Sequence, residues 1–169
     1  MTSAPDVVHT ERLVLRRVAL EDLGRALEIM GDPETNVYNP GGPPAPFYTV
    51  MQMVEWRQRW VSDGIGYWAV ELGGEVIGFG GVRTHLVDGE RTLNLFYRFT
   101  PAHWGRGYAT EMARAAIAWA DSERPELPVV VLTDPDNKPS QRVAEKLGFV
   151  VAGSFDSMVL YRRKSAVAL

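Results

Sequence analysis

Residues 127–134, LPVVVLTD, form an unbroken, mostly apolar run centred on three valines. Such a run is stable as a strand covered on both faces, so the chain must bring apolar elements to each side of it. One covering element lies just upstream. In PAHWGRGYATEMARAAIAWA (101–120), Ala109, Met112, Ala113, Ala116, Ile117 and Ala120 recur at i, i+3, i+4, i+7, i+8 and i+11, a near-complete core-facing stripe. The rest of the chain divides between the same two periods. TERLVLRRV (10–18) alternates as a strand. LEDLGRALEIMGD places Leu20, Leu23, Leu27 and Met30 at helical spacing, and YTVMQMVEWRQRWVSDG strings Val50, Met53, Val54 and Trp60 along a second helix.

GYWAVEL, EVIGFGGVRTH and RTLNLFYRFT read as strands, the first two joined by a Gly73–Gly74 hairpin. NKPSQRVAEKLGF is a short helix that Asp136 or Asn137 can cap, with Gly148 suited to its end. FVVAGSF and MVLYRRK close the chain as strands. The order β-α-α-β-β-β-α-β-α-β-β predicts an α/β domain with a mixed sheet. Its expected extent is residues 10–165, with 1–9 and 166–169 as flexible termini. Between the first two helices, DPETNVYNPGGPPAPF (32–47) carries five prolines and two glycines and is predicted to be a loop.

A chain of 169 residues, 46% of them hydrophobic, suits one domain with a sizeable core. Its formal net charge of −3 argues against a nucleic-acid binder that works by neutralising phosphates. The absence of cysteine excludes disulfides, thiolate metal sites and a cysteine nucleophile. Residues 1–10 show no signal-peptide pattern, and no apolar stretch approaches the roughly 20 residues of a membrane span. A soluble cytoplasmic protein is the expectation.

Gly105 and Gly107 stand where the striped helix begins, although glycine costs about 1 kcal/mol inside a helix. Two readings are open. The glycines form a tight strand-to-helix turn, or they let an anion approach the unpaired amides and positive dipole of the helix start, with Arg106 adding a charged contact. GFGGVR (78–83) lacks the third glycine of a dinucleotide fingerprint and reads as a strand bend.

Together, PAHWGRGYATE and NKPSQRVAEKLGF resemble the GNAT superfamily of N-acetyltransferases, within it the branch typified by the ribosomal-protein-alanine N-acetyltransferases. The superfamily signature is [QR]-x-x-G-x-[GA]. Gly107 and Ala109 fill its last two positions, while Trp104 replaces the usual Gln or Arg, as is common in that branch. The resemblance covers nearly the whole chain and implies a mixed, mostly antiparallel sheet of about seven strands flanked by about four helices. It implies that acetyl-CoA, used without a metal, has its pyrophosphate held by the amides of Gly105, Arg106, Gly107, Tyr108 and Ala109, with the Thr110 hydroxyl. The backbone of Arg98, Phe99 and Thr100 would meet the pantetheine arm, and an amide near Arg98 or Phe99 would polarise the thioester carbonyl. Asn137 would also bond the arm.

Many relatives carry a tyrosine, as general acid, where this chain has Ala144. Ser140 is the branch's candidate to bond the sulfur instead. A carboxylate that relatives often place on the central strand is here Asn94, which cannot take a proton. Glu111 of the ATE motif is a candidate base, and Glu71, His85, His103 and Asp136 are further ones. Tyr38, Phe47 and Tyr48 of the loop, with Trp56 and Trp60, would wall the acceptor pocket, Tyr38 and Trp56 foremost. The implied acceptor is a primary amine on a protein N-terminus or a small molecule, with neither nucleic acid nor membrane as partner and the protein a monomer or homodimer. A non-catalytic acyl-CoA-binding or sensing module, a transferase of a larger acyl group, and a nucleotide-phosphate binder remain open. Valine at 107 is expected to weaken coenzyme A binding far more than folding.

Overall fold

The computed structural model describes residues 6–163. Eight strands form one sheet: β1 (Val7–His9), β2 (Val14–Arg17), β3 (Tyr67–Leu72), β4 (Glu75–Val87), β5 (Glu90–Phe99), β6 (Val129–Thr133), β7 (Phe149–Phe155) and β8 (Met158–Arg163). Four helices flank it: α1 (Leu23–Gly31), α2 (Pro46–Ser62), α3 (Tyr108–Glu123) and α4 (Lys138–Lys146). The sheet order is β1-β2-β3-β4-β5-β6-β8-β7, and only the β5–β6 pair is parallel. The eighth strand is β1. Residues 7–9, expected in the N-terminal tail, pair antiparallel with β2. Residues 166–169 lie outside the described part.

Residue alternation along β5 assigns the helices to faces. Phe96 packs toward Trp56 of α2, with ring centroids 5.9 Å apart. Tyr97, its neighbour, reaches Ser140 of α4 on the opposite face. Helices α1 and α2 thus cover one side of the central strands, and α3 and α4 the other. The run at 127–134 is buried as expected, with Val129, Val130 and Val131 nearly inaccessible. In α3 the predicted stripe is the buried face, with Met112, Ala113, Ala116 and Ala120 fully enclosed.

Two helices differ from expectation. Helix α2 starts at Pro46, because Ala45 is extended and proline suits the first helical position. Its buried face is Thr49, Met53, Trp56 and Trp60, whereas Val54 is exposed. The aromatic residues outweigh the valines: Trp56 packs on Tyr67, Phe79 and Phe96, and Trp60 donates its indole N–H to the Tyr67 carbonyl. Leu20 is likewise exposed, since helix α1 begins only at Leu23.

The glycines of GFGGVR permit close approach. A Cβ on Gly80 would lie 2.5 Å from both the Met112 methyl and the Phe96 carbonyl oxygen. One on Gly78 would lie 2.6 Å from the Phe99 ring and 2.7 Å from the Arg98 carbonyl oxygen. Strand β4 therefore presses against β5 at Phe96–Phe99, closer than any side-chain-bearing residue allows.

Candidate functional site between the splayed strands

That pressure coincides with a break in the sheet. Pairing of β5 with β6 is confined to Leu93↔Val129 and Asn94↔Val130. Beyond Asn94, β5 stays registered with β4 as far as Phe99, while β6 pairs with β8. The two central strands diverge and leave an opening through the sheet. The alternation of the ladder decides which groups face it. The Leu93 amide bonds Pro128 on the β6 side, and the Thr100 amide bonds Ile77 of β4. The amides and carbonyls of Leu95, Tyr97 and Phe99 accordingly point toward the opening, and those of Arg98 and Thr100 toward β4.

On the α3 side of the opening lies the glycine turn. Gly105 and Gly107 both adopt left-handed conformations, with φ of +73° and +81°. A Cβ at 105 would meet nothing within 4 Å, and at 107 only the Arg12 guanidinium at 3.5 Å. Gly107 caps α3, and the first ladder bond runs from the Glu111 amide to the Gly107 carbonyl. The amides of Gly107, Tyr108, Ala109 and Thr110 precede that bond and are the unpaired donors of a helix start. This exposed, side-chain-free concavity can hold a diphosphate. Trp104 caps the end of β5 by donating its indole N–H to the Phe99 carbonyl at 2.8 Å.

Arg12 holds this turn in shape, a role that nothing in its sequence neighbourhood signals. Its Nη1 donates to the Arg106 carbonyl at 2.9 Å, its Nε to Glu111 at 2.7 Å, and its guanidinium lies 4.4 Å from the Tyr108 ring centre. Glu111 also accepts from the Thr10 hydroxyl and the Arg12 amide. Partial burial tends to raise its carboxyl, but these bonds outweigh burial and hold it below the usual carboxylate range. The structure thus uses Glu111 as a tether between the β1–β2 segment and α3.

Helix α4 supplies the next group. Asn137 caps it by accepting the Ser140 amide, which is compatible with the role that the resemblance gives it. The Tyr97 hydroxyl donates to the Ser140 carbonyl at 2.8 Å and accepts from the Ser140 hydroxyl at 3.1 Å. Burial pushes the Tyr97 phenol up to about 12, although the Ser140 bond works the other way. A tyrosine therefore stands beside Ser140, contributed by β5 rather than by α4.

On the opposite face of the sheet, a cavity of about 340 Å³ opens between α2, β4, β5, β6 and the β7–β8 turn. Trp56, Phe96 and Leu132 form its apolar wall, and Gln52, Glu55, Arg83, His85, Asn94 and Asp156 its polar one. Asn94, at the vertex of the opening, donates to the Tyr67 hydroxyl at 2.9 Å. Arg83 pairs with Glu55 at 2.7 Å. Burial, then the charges of Arg83 and Arg59, push His85 below its ordinary value of 6.5, with Asp156 and Glu55 opposing.

Of the expected acceptor residues, Trp56 lines this cavity, whereas Tyr38, Phe47 and Tyr48 lie on exposed surface outside it. Among the further base candidates only His85 reaches it. Glu71 bonds Arg16, His103 bonds Thr100, and Asp136 lies in the turn before α4. Arg98 points to the α1–α2 side, with Nη1 3.5 Å from Asn36. Among the described residues no cluster of three or more His, Asp or Glu side chains could hold a metal ion, and no helix is long and apolar enough to cross a membrane.

Known proteins are similar to this chain. The chain is 31% identical over 166 residues to YkkB of Bacillus subtilis (strain 168), covering 92% of this chain and 94% of that protein. It is 25% identical over 152 residues to the uncharacterized N-acetyltransferase YnaD of the same organism, covering 90% and 87%. A crystal structure of the acetyltransferase from Agrobacterium tumefaciens str. C58 superposes with a TM-score of 0.82 at 31% identity, covering 96% of this chain and 95% of that one. The ribosomal L7/L12 α-N-protein acetyltransferase RimL shares the fold, with a TM-score of 0.72 at 13% identity and 93% of each chain covered. Residues 12–150 match the acetyltransferase (GNAT) domain, and with the motif pair, the diverging strands and the glycine-capped helix in one frame, the chain belongs to the GNAT acetyltransferase family.

Proposed function

We propose that this protein transfers an acetyl group from acetyl-CoA to a primary amine by direct attack. The observation that carries the reading is the opening between β5 and β6, which joins an amide-lined cradle on one face to a polar and aromatic cavity on the other. The amides of Gly105, Arg106, Gly107, Tyr108 and Ala109, with the Thr110 hydroxyl, would hold the diphosphate. The Tyr97 and Phe99 amides face the opening, and either can donate to a carbonyl oxygen placed there as it gains charge. The bound thioester supplies an activated carbonyl. The chain aligns the amine from the cavity side, so that the N–C bond forms as the C–S bond breaks and its electron pair leaves on sulfur.

A proton must leave the amine, and the sulfur must be stabilised as it leaves as a thiolate. The amine gives its proton up on the cavity side, where His85 is the titratable group kept neutral at pH 7. Its register position opposite Thr92 is two residues short of Asn94, so a water carries the proton to it. On the other face, Tyr97 orients the start of α4 through the Ser140 carbonyl, so that the Ser140 hydroxyl, which donates to Tyr97 in the free protein, can turn to donate to the departing sulfur. Replacing Tyr97 with phenylalanine removes that orientation. About a tenfold loss in kcat is expected, with a stability loss near 1 kcal/mol. Steady-state rates and thermal melts check it, and unchanged kcat would remove Tyr97 from any orienting role in the reaction.

The defining assay is release of free thiol from acetyl-CoA on addition of an amine. Wild-type protein should release thiol only when amine is present. Gly107→Val should abolish detectable acetyl-CoA binding by calorimetry. The left-handed φ at 107 also changes the expectation drawn from sequence, because valine there costs folding about 1–2 kcal/mol whatever is bound. Gly107→Asn separates the two effects, since asparagine tolerates that φ while its side chain still occupies the cradle. Undiminished binding by Gly107→Asn would sink the diphosphate assignment.

A further inference from the structure

The cavity on the α2 face carries an imbalance that its own residues do not resolve. Among the described residues, three buried side-chain polar atoms of this one wall lack a hydrogen-bond partner: Gln52 Oε1, Asn94 Oδ1 and Arg83 Nε. Unsatisfied buried groups cost free energy and call for an explanation, and a bound ligand is one that three of them on one cavity wall allow. Two of the three are acceptors and one is a cationic donor. The matching ligand carries N–H donors and an anionic acceptor at short separation.

The sheet register sets that separation. Arg83 and Asn94 are directly opposite on β4 and β5, a placement that holds the first side-chain carbons about 5 Å apart. Asn94 stands at the vertex of the strand opening, where the reacting amine must be presented. Arg83 already gives Nη1 to Glu55, which leaves its Nε edge as the planar, charged donor that suits a carboxylate. Trp56, Phe96, Leu132, Phe155 and Met158 supply apolar wall around these groups.

Resting on the acetyltransferase reading, we infer that the acceptor is a free α-amino acid with an apolar side chain. Its amine bonds Asn94 and Gln52, its carboxylate bonds Arg83, and its side chain lies on the aromatic wall. A protein N-terminus has the same amine but presents a neutral peptide carbonyl to Arg83 in place of a carboxylate.

The test measures thiol release from acetyl-CoA with free leucine, methionine and phenylalanine, with their carboxamides, and with tripeptides beginning in the same residues. The free acids are expected to exceed their carboxamides and peptides by at least about tenfold in kcat/KM. Arg83→Gln should raise KM for the acids by about 10- to 100-fold and KM for the carboxamides by much less, leaving the affinity for acetyl-CoA unchanged. Unchanged acetyl-CoA affinity also shows that the variant is folded. Equal use of acids and carboxamides overturns the inference while leaving the transferase reading intact, and so does turnover of peptides alone. No thiol release with any amine, despite acetyl-CoA binding, overturns both.

Discussion

His85→Gln is expected to lower kcat at pH 7 by about 10²- to 10⁴-fold, the range for loss of a positioned general base. Glutamine keeps much of the side-chain length and can still bond water, but it cannot accept the proton. Acetyl-CoA affinity should not change, because His85 lies on the α2 face and the glycine turn on the other. The wild-type rate should fall with acid as His85 is protonated, with a midpoint below the ordinary 6.5 because burial, Arg83 and Arg59 favour the neutral ring over the opposing pull of Asp156 and Glu55. The variant should lose that acid limb.

The same shift links to stability. A histidine whose folded pKa is depressed contributes stability above its unfolded value near 6.5, and that contribution is lost as pH falls through the folded value. Wild-type protein should therefore lose stability over that interval, and His85→Gln should lose less. Rate and melting measurements across pH check both statements. A variant that keeps its kcat and its acid limb would move the base to Glu55 or Asp156, the other cavity-lining groups able to take a proton.

Gly80→Val should destabilise the fold by about 3 kcal/mol, which for a domain of this size lowers the melting temperature by about 6–12 °C. The Cβ alone would lie 2.5 Å from the Phe96 carbonyl and the Met112 methyl. Met112 can change rotamer, but the carbonyl belongs to a strand paired along its length, so relief requires β5 to move. That movement falls on Phe96 and Tyr97, at the mouth of the opening. Acetyl-CoA binding should therefore weaken further than the stability loss alone explains. Combining Gly80→Val with Met112→Ala tests the cause: it removes one obstacle, and recovery should be partial. Full recovery would assign the effect to helix packing and release the glycine from any role in opening the sheet.

Much of this protein is legible in short windows. The 127–134 run, the α3 stripe, the Gly73–Gly74 turn and the Asn137 cap each depend on neighbours within a few residues, and each stands as read. The valines of α2 mislead because helical spacing shows that a face is apolar without showing which face meets the sheet. Trp56 and Trp60 win that choice through ring contacts with Tyr67, Phe79, Phe96 and Trp68. Strand β1 escaped notice because three residues carry too little period to register, and pairing with β2 alone makes them a strand.

The sequence by itself determined the α/β class, the family and the glycine turn, because these rest on local periodicity and contiguous motifs. Only the tertiary structure decided which side chains meet. Arg12 and Glu111 are 99 positions apart, and Tyr97 and Ser140 are 43 apart. Arg83 faces Asn94 through the register of two strands. Such meetings follow from sheet order and strand register, which the whole core sets together through the burial of many side chains at once. The cavity on the α2 face is made of them.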